Sequence, residues 1–324
     1  MNSQPSLPQL NLSAAADEIQ PRLNAIERLS TGERALVLHG GGSAGNAWEI
    51  GVIAGLLDAG LDVADADVVI GTSAGSTVAA QITSGVPAND LLASILDAAT
   101  QTQSRPVRDT SVNVPVADHM ARTNAIIAAA KDAADMRRKM GAAALLMDES
   151  SGISAQPEWR ATVASRLPSQ QWPAQRVLIV AVDADTGEPV IFDRRSGVDL
   201  VDAVAASCAN GFGVAPYRIG EHRYIDGGYR RSENADLATG YERVLVLSPF
   251  GGRSRMPPEW GMHLGAQVDE LRARGSRVET IFPDDDSRAA FGDNMMDPST
   301  RPAAARAGFT QGRDRGEQLT VFWR

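Results

Sequence analysis

Residues 67–75 read Asp67-Val68-Val69-Ile70-Gly71-Thr72-Ser73-Ala74-Gly75. The run Val68-Val69-Ile70 has the composition of a strand buried on both faces, and it stops at a glycine. Gly71 to Gly75 then forms Gly-x-Ser-x-Gly, and a helix is expected from about 75 to 84, closed by Gly85. Small residues on both sides of Ser73 let strand and helix approach closely enough for a sharp turn. The hydroxyl is then exposed, with a helix N-terminus behind it. The pattern is common by chance, but between a strand and a helix it has the context of a nucleophile elbow.

Upstream, Ala35-Leu36-Val37-Leu38-His39 is an apolar run that ends at Gly40-Gly41-Gly42-Ser43-Ala44-Gly45, with an apolar helix expected from Asn46 to Ala59 and Gly60 at its C-cap. Strand, helix, strand, helix at this spacing predicts a parallel α/β layer. The glycine stretch alone fits three mechanisms. As Gly40-x-Gly42-x-x-Gly45 it is a dinucleotide fingerprint, with Asp62 or Asp65 as the ribose ligand. As His39-Gly40-Gly41-Gly42 it is similar to the oxyanion loop of α/β-hydrolase lipases. It is also an ordinary tight turn. No Gly-Lys-Ser or Gly-Lys-Thr follows, which excludes a Walker loop.

A dinucleotide domain needs no serine elbow on its second strand. An α/β-hydrolase needs further strand and helix between oxyanion loop and elbow, whereas 31 positions separate Gly42 from Ser73. Downstream, strands are expected at 176–182, 189–192, 244–247 and 278–282, with a hairpin turn at Asp185-Thr186-Gly187-Glu188. The Ala- and Met-rich segment from about 87 to 165 reads as several helices, either ordinary core or an apolar cap over the site (Met120, Met136, Met140, Met147). Tyr224-Ile225-Asp226-Gly227-Gly228 sets an aspartate between a strand end and two glycines. Taken singly, a turn aspartate is its plainer reading.

Together the glycine stretch 40–45, the elbow 71–75 and the Asp226-Gly227-Gly228 turn resemble the patatin-like phospholipase family, in order and spacing, over about 34–250. Ala206-Ser207-Cys208-Ala209, followed by Pro216, is a weaker fourth block. Two stretches depart from the family pattern. Tyr229-Arg230-Arg231-Ser232-Glu233-Asn234-Ala235 stands where Asn-Asn-Pro is usual, and Asn210-Gly211 where a proline is common.

The resemblance implies a three-layer α/β sandwich with a mostly parallel sheet flanked by helices. It implies a Ser-Asp dyad without histidine: Ser73 as nucleophile, Asp226 as general base, and the backbone N–H groups of Gly40, Gly41 and Gly42 as the oxyanion hole. Gly45, Gly71, Gly75, Gly227 and Gly228 shape the elbow and loops. The implied activity is hydrolysis of acyl esters of phospholipids, lysophospholipids or related lipids through an acyl-enzyme, with no cofactor and no metal. A regulatory lipid-binding member of the fold and a dinucleotide-binding oxidoreductase are the competing readings.

Composition narrows the field. The chain has 324 residues, 31 Lys plus Arg against 40 Asp plus Glu, a net charge of −9, four His and one Cys. The acidic balance argues against nucleic acid as a partner. A lone Cys208, expected as a buried filler, excludes a disulfide framework, and His39, His119, His222 and His263 are too scattered for a metal centre. No secretory signal or transmembrane run is visible, so a cytoplasmic protein is expected, with a lipid or acyl-ester substrate and room for transient membrane-surface contact. Arg230, Arg231, Arg253 and Arg255 are candidates for a basic membrane patch or a solvated face. His222 is expected at the surface, Asp183 and Asp185 as turn caps, and Asp284-Asp285-Asp286 as a solvated loop. The expected organisation is a partly helical tail (1–33, helix from Ser13 to about Arg28), a catalytic domain (34–250) with its helical insertion, and a C-terminal extension (251–324) with one strand.

Overall fold

The computed structural model describes residues 32–102, 116–151, 155–211 and 213–324. The expected tail helix lies outside the described residues. Strand β1 (Gly32–Leu38) leads into helix α1 (Gly42–Asp58), and β2 (Val68–Thr72) into α2 (Ala74–Ile82). The insertion supplies α3 (Ala88–Thr102), α4 (Val116–Ala129), α5 (Ala133–Ser151) and α6 (Gln156–Arg166). A hairpin of β3 (Arg176–Asp183) and β4 (Pro189–Phe192) follows, then α7 (Leu200–Ser207), β5 (Tyr217–Ile219), β6 (His222–Asp226) and β7 (Tyr241–Leu247). The chain closes with α8 (Leu264–Ala273), β8 (Arg277–Ile281), α9 (Asp285–Phe291) and α10 (Arg301–Trp323).

The sheet is mixed. β3, β2, β1, β7 and β8 are parallel in that order, while β4 and β6 pair antiparallel with β3, and β5 with β6. Strand alternation divides the core between the two faces. Leu36, Leu38, Val69, Ile179 and Leu245 face α1, α2, α7 and α10. Val37, Ile70, Val180 and Val246 face α8 and the 3₁₀ turn Ala235–Ala238. This is the expected three-layer sandwich.

At the turn between β3 and β4, the Asp183 carboxylate accepts the Asp185 and Thr186 N–H groups, as a capping aspartate should. Two local expectations need correction. The first α-helix begins at Gly42, not Asn46, so Gly42 to Gly45 are its first turn; the Ala44 N–H, unsatisfied within a helix start, donates to the Met295 carbonyl. Asp284-Asp285-Asp286 opens α9 instead of a loop, with Asp284 accepting the Ser287 N–H as N-cap. Of the two readings of the Met-rich segment, ordinary core packing holds for Met136 and Met140, which are fully buried against Val182 and Ile225 between α5 and the sheet.

The segment after 250 is built into this core. β8 extends the sheet, and α10 lies along α1 with backbone nearly touching backbone. A Cβ on Gly55 would collide with the Phe309 carbonyl, and one on Gly312 with the Val52 carbonyl. The Trp48 indole N–H reaches Ser287 and Gln311, tying α1 to α9 and α10. Gly312→Val should therefore force the helices apart and cost about 3 kcal/mol. The exposed control Val321→Ala should stay within about 0.5 kcal/mol. Urea unfolding of the two variants beside wild type checks both.

Candidate active site

The register of β3 decides where the candidate nucleophile and base meet. Ile179 and Val180 pair with β2 and β4 at once, so those strands lie on opposite edges of β3. Ala181 and Val182 pair with β4 and β6 at once, so β6 lies on the same edge as β2. Thr72 stands opposite Val180 and Asp226 opposite Ala181. The two strands therefore run toward each other along one edge and stop head to head, which sets Ser73 beside Asp226.

Ser73 takes φ 54° and ψ −126°, a backbone conformation strongly disfavoured for any residue with a Cβ. Neighbouring polar groups hold it there. Its N–H donates to Ser207 Oγ (2.9 Å), which itself donates to the Val180 carbonyl (2.6 Å). Its carbonyl accepts the Ser76 N–H, the Ser76 hydroxyl and the Cys208 thiol (3.1 Å). Burial pushes that thiol up to about 11, so it remains a neutral donor. Gly71 lies against Ser76 Cα and Gly75 against the Leu38 carbonyl, leaving no space for side chains.

The Asp226 carboxylate accepts the Gly228 N–H (2.8 Å), and the Ser73 hydroxyl is within hydrogen-bonding reach of it. Burial outweighs both bonds and raises the carboxyl to about 6. Gly227 is pressed against the Val180 carbonyl, where a Cβ would not fit. Facing this pair, a Cβ on Gly40 would lie 2.9 Å from Ser73 Cβ, so the loop backbone abuts the serine. Gly41 and Gly45 pack on Pro249, and Gly42, at φ +60°, packs on Met295 and Met296. Among the described residues, the N–H groups of Gly40, Gly41 and Gly42 have no hydrogen-bond partner. They are available to an external oxyanion.

Neither His39, His222 nor His263 is hydrogen-bonded to Ser73 or Asp226. His39 is buried, its ring lowered to about 3 by desolvation, while its backbone N–H donates to Glu49. His222 is exposed at the far end of β6, against Asp183. Arg230 is bound to Asp236 (2.7 Å) and Arg231 to Glu270 (2.7 Å), so these two do not form the basic patch considered from sequence. Asp62 and Asp65 precede β2, at the N-terminal end of the parallel strands and so opposite the glycine loop, out of position for a dinucleotide ribose. Among the described residues, no group of three or more His, Cys, Asp or Glu could hold a metal ion, and no helix is long and apolar enough to cross a membrane.

Asn234 is a residue that motif reading passed over. It is fully buried in the left-handed conformation (φ 58°). Its amide donates to Thr72 Oγ1 (3.0 Å) and to the Gly227 carbonyl (3.1 Å), and it accepts from Arg230 (2.9 Å). One side chain thus joins the residue before Ser73 to the residue after Asp226. Its only sequence signal was the unusual stretch after Asp-Gly-Gly. A serine elbow, an adjacent carboxylate of raised pKa and unpaired loop N–H groups can together support acyl transfer.

Residues 36–239 match the model of the patatin-like phospholipases, which spans this whole constellation. The chain belongs to the patatin-like phospholipase family. No curated protein matches it significantly. Among solved structures it is similar to VipD from Legionella pneumophila (13% identity, TM-score 0.43, covering 88% of this chain and 67% of that one). It is also similar to the type III effector protein ExoU (16% identity, TM-score 0.37, covering 88% of this chain and 53% of that one). The chain thus spans about half the length of ExoU. The patatin-like match ends at 239, before β7, β8 and α10.

Strain at Ser73 predicts a trade between stability and function. Ser73→Gly should raise the unfolding free energy by about 1 kcal/mol, because glycine relieves the positive φ. Asn234→Ala should lower it by about 2 kcal/mol, leaving two buried partners unsatisfied. Chemical denaturation reads both.

Proposed function

We propose that the chain is a serine acyl hydrolase that cleaves acyl esters of phospholipids, lysophospholipids or related lipids through a Ser73–Asp226 dyad. The observation that carries this reading is the Ser73 hydroxyl within reach of a carboxylate whose pKa burial lifts to about 6. A carboxylate near its reference pKa is a weak base at neutral pH; raising it improves proton transfer while leaving the group ionised at pH 7. As Ser73 Oγ bonds to the ester carbonyl carbon, its proton passes to Asp226, and the carbonyl electron pair moves onto oxygen. That oxyanion is received by the N–H groups of Gly40, Gly41 and Gly42, each well-placed donor contributing about 3 kcal/mol. Collapse expels the alcohol, which takes the proton from Asp226. Water, deprotonated by the same carboxylate, then hydrolyses the acyl-Ser73 ester.

An apolar substrate is supported by what flanks the loop. Phe250 packs edge-on against His39, Met296 lies on Gly42, and both are exposed, at 38% and 56%. Apolar side chains left in solvent beside a reacting serine suit an acyl chain or a lipid surface.

Two measurements test the dyad. Ser73→Ala should lower kcat/KM on a chromogenic acyl ester at least about 1,000-fold, and Asp226→Asn at least about 100-fold, with circular dichroism unchanged. Full activity in either overturns the reading. Since only the ionised carboxylate accepts the proton, kcat/KM should fall about tenfold per unit below pH 6 and level off above it.

A further inference from the structure

Arg301 is the first residue of α10, and its guanidinium donates to the carbonyl of Ser43 (3.3 Å) and to Asn46 Oδ1 (2.9 Å). Ser43 directly follows the glycine loop. Asn46 in turn donates to Gln81 (3.3 Å), and Gln81 to the backbone carbonyl of Arg166 (2.9 Å). Asn46 and Gln81 are buried, so this polar chain is packed inside the fold and reaches the surface at the exposed Arg166 side chain. The Arg166 guanidinium stands over the Trp159 ring, 5.4 Å from its centroid.

Nothing in this cluster neutralises its charge. Among the described residues neither Arg166 nor Arg301 has a carboxylate within ion-pair distance. Neither α1 nor α10 carries an acid in its first turn, so the positive ends of both helix dipoles add to the two guanidinium groups. Burial pulls Arg301 down to about 10, and the Arg166 charge acts in the same direction. The Arg166 side chain is exposed, so the desolvated charge is that of Arg301. A desolvated cation without an ion pair is unfavourable in a folded chain and is normally matched by an anion. The cluster also adjoins the reacting centre: Arg301 grips the residue after Gly42, and the Arg166 field reaches the Cys208 thiol bonded to the Ser73 carbonyl.

We propose that Arg301 and Arg166 form a phosphoryl-binding subsite beside Ser73, which holds the phosphate of a glycerophospholipid or lysophospholipid while its acyl ester lies at the serine. Guanidinium groups match phosphate oxygens with paired hydrogen bonds, and helix N-termini receive the same anions. The subsite rests on the acyl-hydrolase reading of Ser73 and adds a basis for choosing phospholipid over neutral ester. Asn46 and the Ser43 carbonyl orient Arg301, leaving its other donors for the ligand.

The test compares lysophosphatidylcholine with a 1-monoacylglycerol of the same acyl chain, and titrates inorganic phosphate into the same proteins by calorimetry. Arg166→Gln/Arg301→Gln should lower the ratio of kcat/KM for the two lipids at least about tenfold, the scale of a lost charge-assisted hydrogen bond. Arg301→Lys, which keeps the charge and a donor for Asn46, should keep most of the ratio and the wild-type melting temperature. A fall in the ratio supports the lipid head group as the source of the phosphate. An unchanged ratio, with phosphate binding lost in the double variant, supports a free phosphate. An unchanged ratio with no phosphate binding to wild type overturns the subsite. If wild type hydrolyses neither lipid, the acyl-hydrolase reading fails, and the phosphate titration still decides the arginine pair.

Discussion

Two strands of opposite direction meet end to end on one edge of β3, at Val180 and Ala181. The geometry of the candidate site depends on that junction. A strand edge offers one row of hydrogen-bonding groups, so where β2 leaves off β6 can begin. The loops that follow must turn away from the same point. Ser73 leaves toward α2, Gly227 bends into a 3₁₀ turn over the Val180 carbonyl, and Ser207 bridges that carbonyl to the Ser73 N–H. The residues of smallest volume concentrate here because three backbones converge within van der Waals distance.

The convergence carries a cost that the surroundings offset. Ser73 in a positive-φ conformation is unfavourable by about 1–3 kcal/mol, and burial disfavours the ionised form of Asp226. Both states persist because hydrogen bonds on every side over-determine them: three donors on the Ser73 carbonyl, one acceptor for its N–H, and Asn234 binding the two approaches. Strain and raised pKa arise from the same packing, which makes the candidate site rigid before any ester arrives.

The helix that begins at the glycine loop extends this logic to the far side of the molecule. α1 is buried along thirteen consecutive residues from Ala44 to Leu56, caught between the sheet and α10. Small residues on its outer face admit α10 at backbone distance, and the N-terminal residue of α10 returns to the loop as Arg301. A segment remote in sequence from the serine thereby contributes charge next to it.

Much of this was legible along the chain. Short apolar runs ending at glycines announce buried parallel strands, since a strand covered on both faces needs no polar alternation; the elbow, the Asp-Gly-Gly turn and the hairpin at 185–188 each follow from local steric demands of a few residues. Local demands also account for the errors. A glycine stretch reads as loop, yet Gly42 to Gly45 coil into a helix because Met295, some 250 residues on, accepts the Ala44 N–H. Asn234 and Arg301 carry no motif, because what they do is defined by partners distant in sequence. By itself, then, the sequence determined the α/β class and most of the elements through short-range backbone constraints, and it offered Ser73 and Asp226 as the candidate pair through the resemblance that their motifs carry. Only the tertiary structure decided that the candidate pair meets on one strand edge, that its carboxylate is desolvated and that Arg301 and Arg166 stand nearby without a carboxylate partner among the described residues, because strand register and burial depend on which surfaces the folded chain brings together.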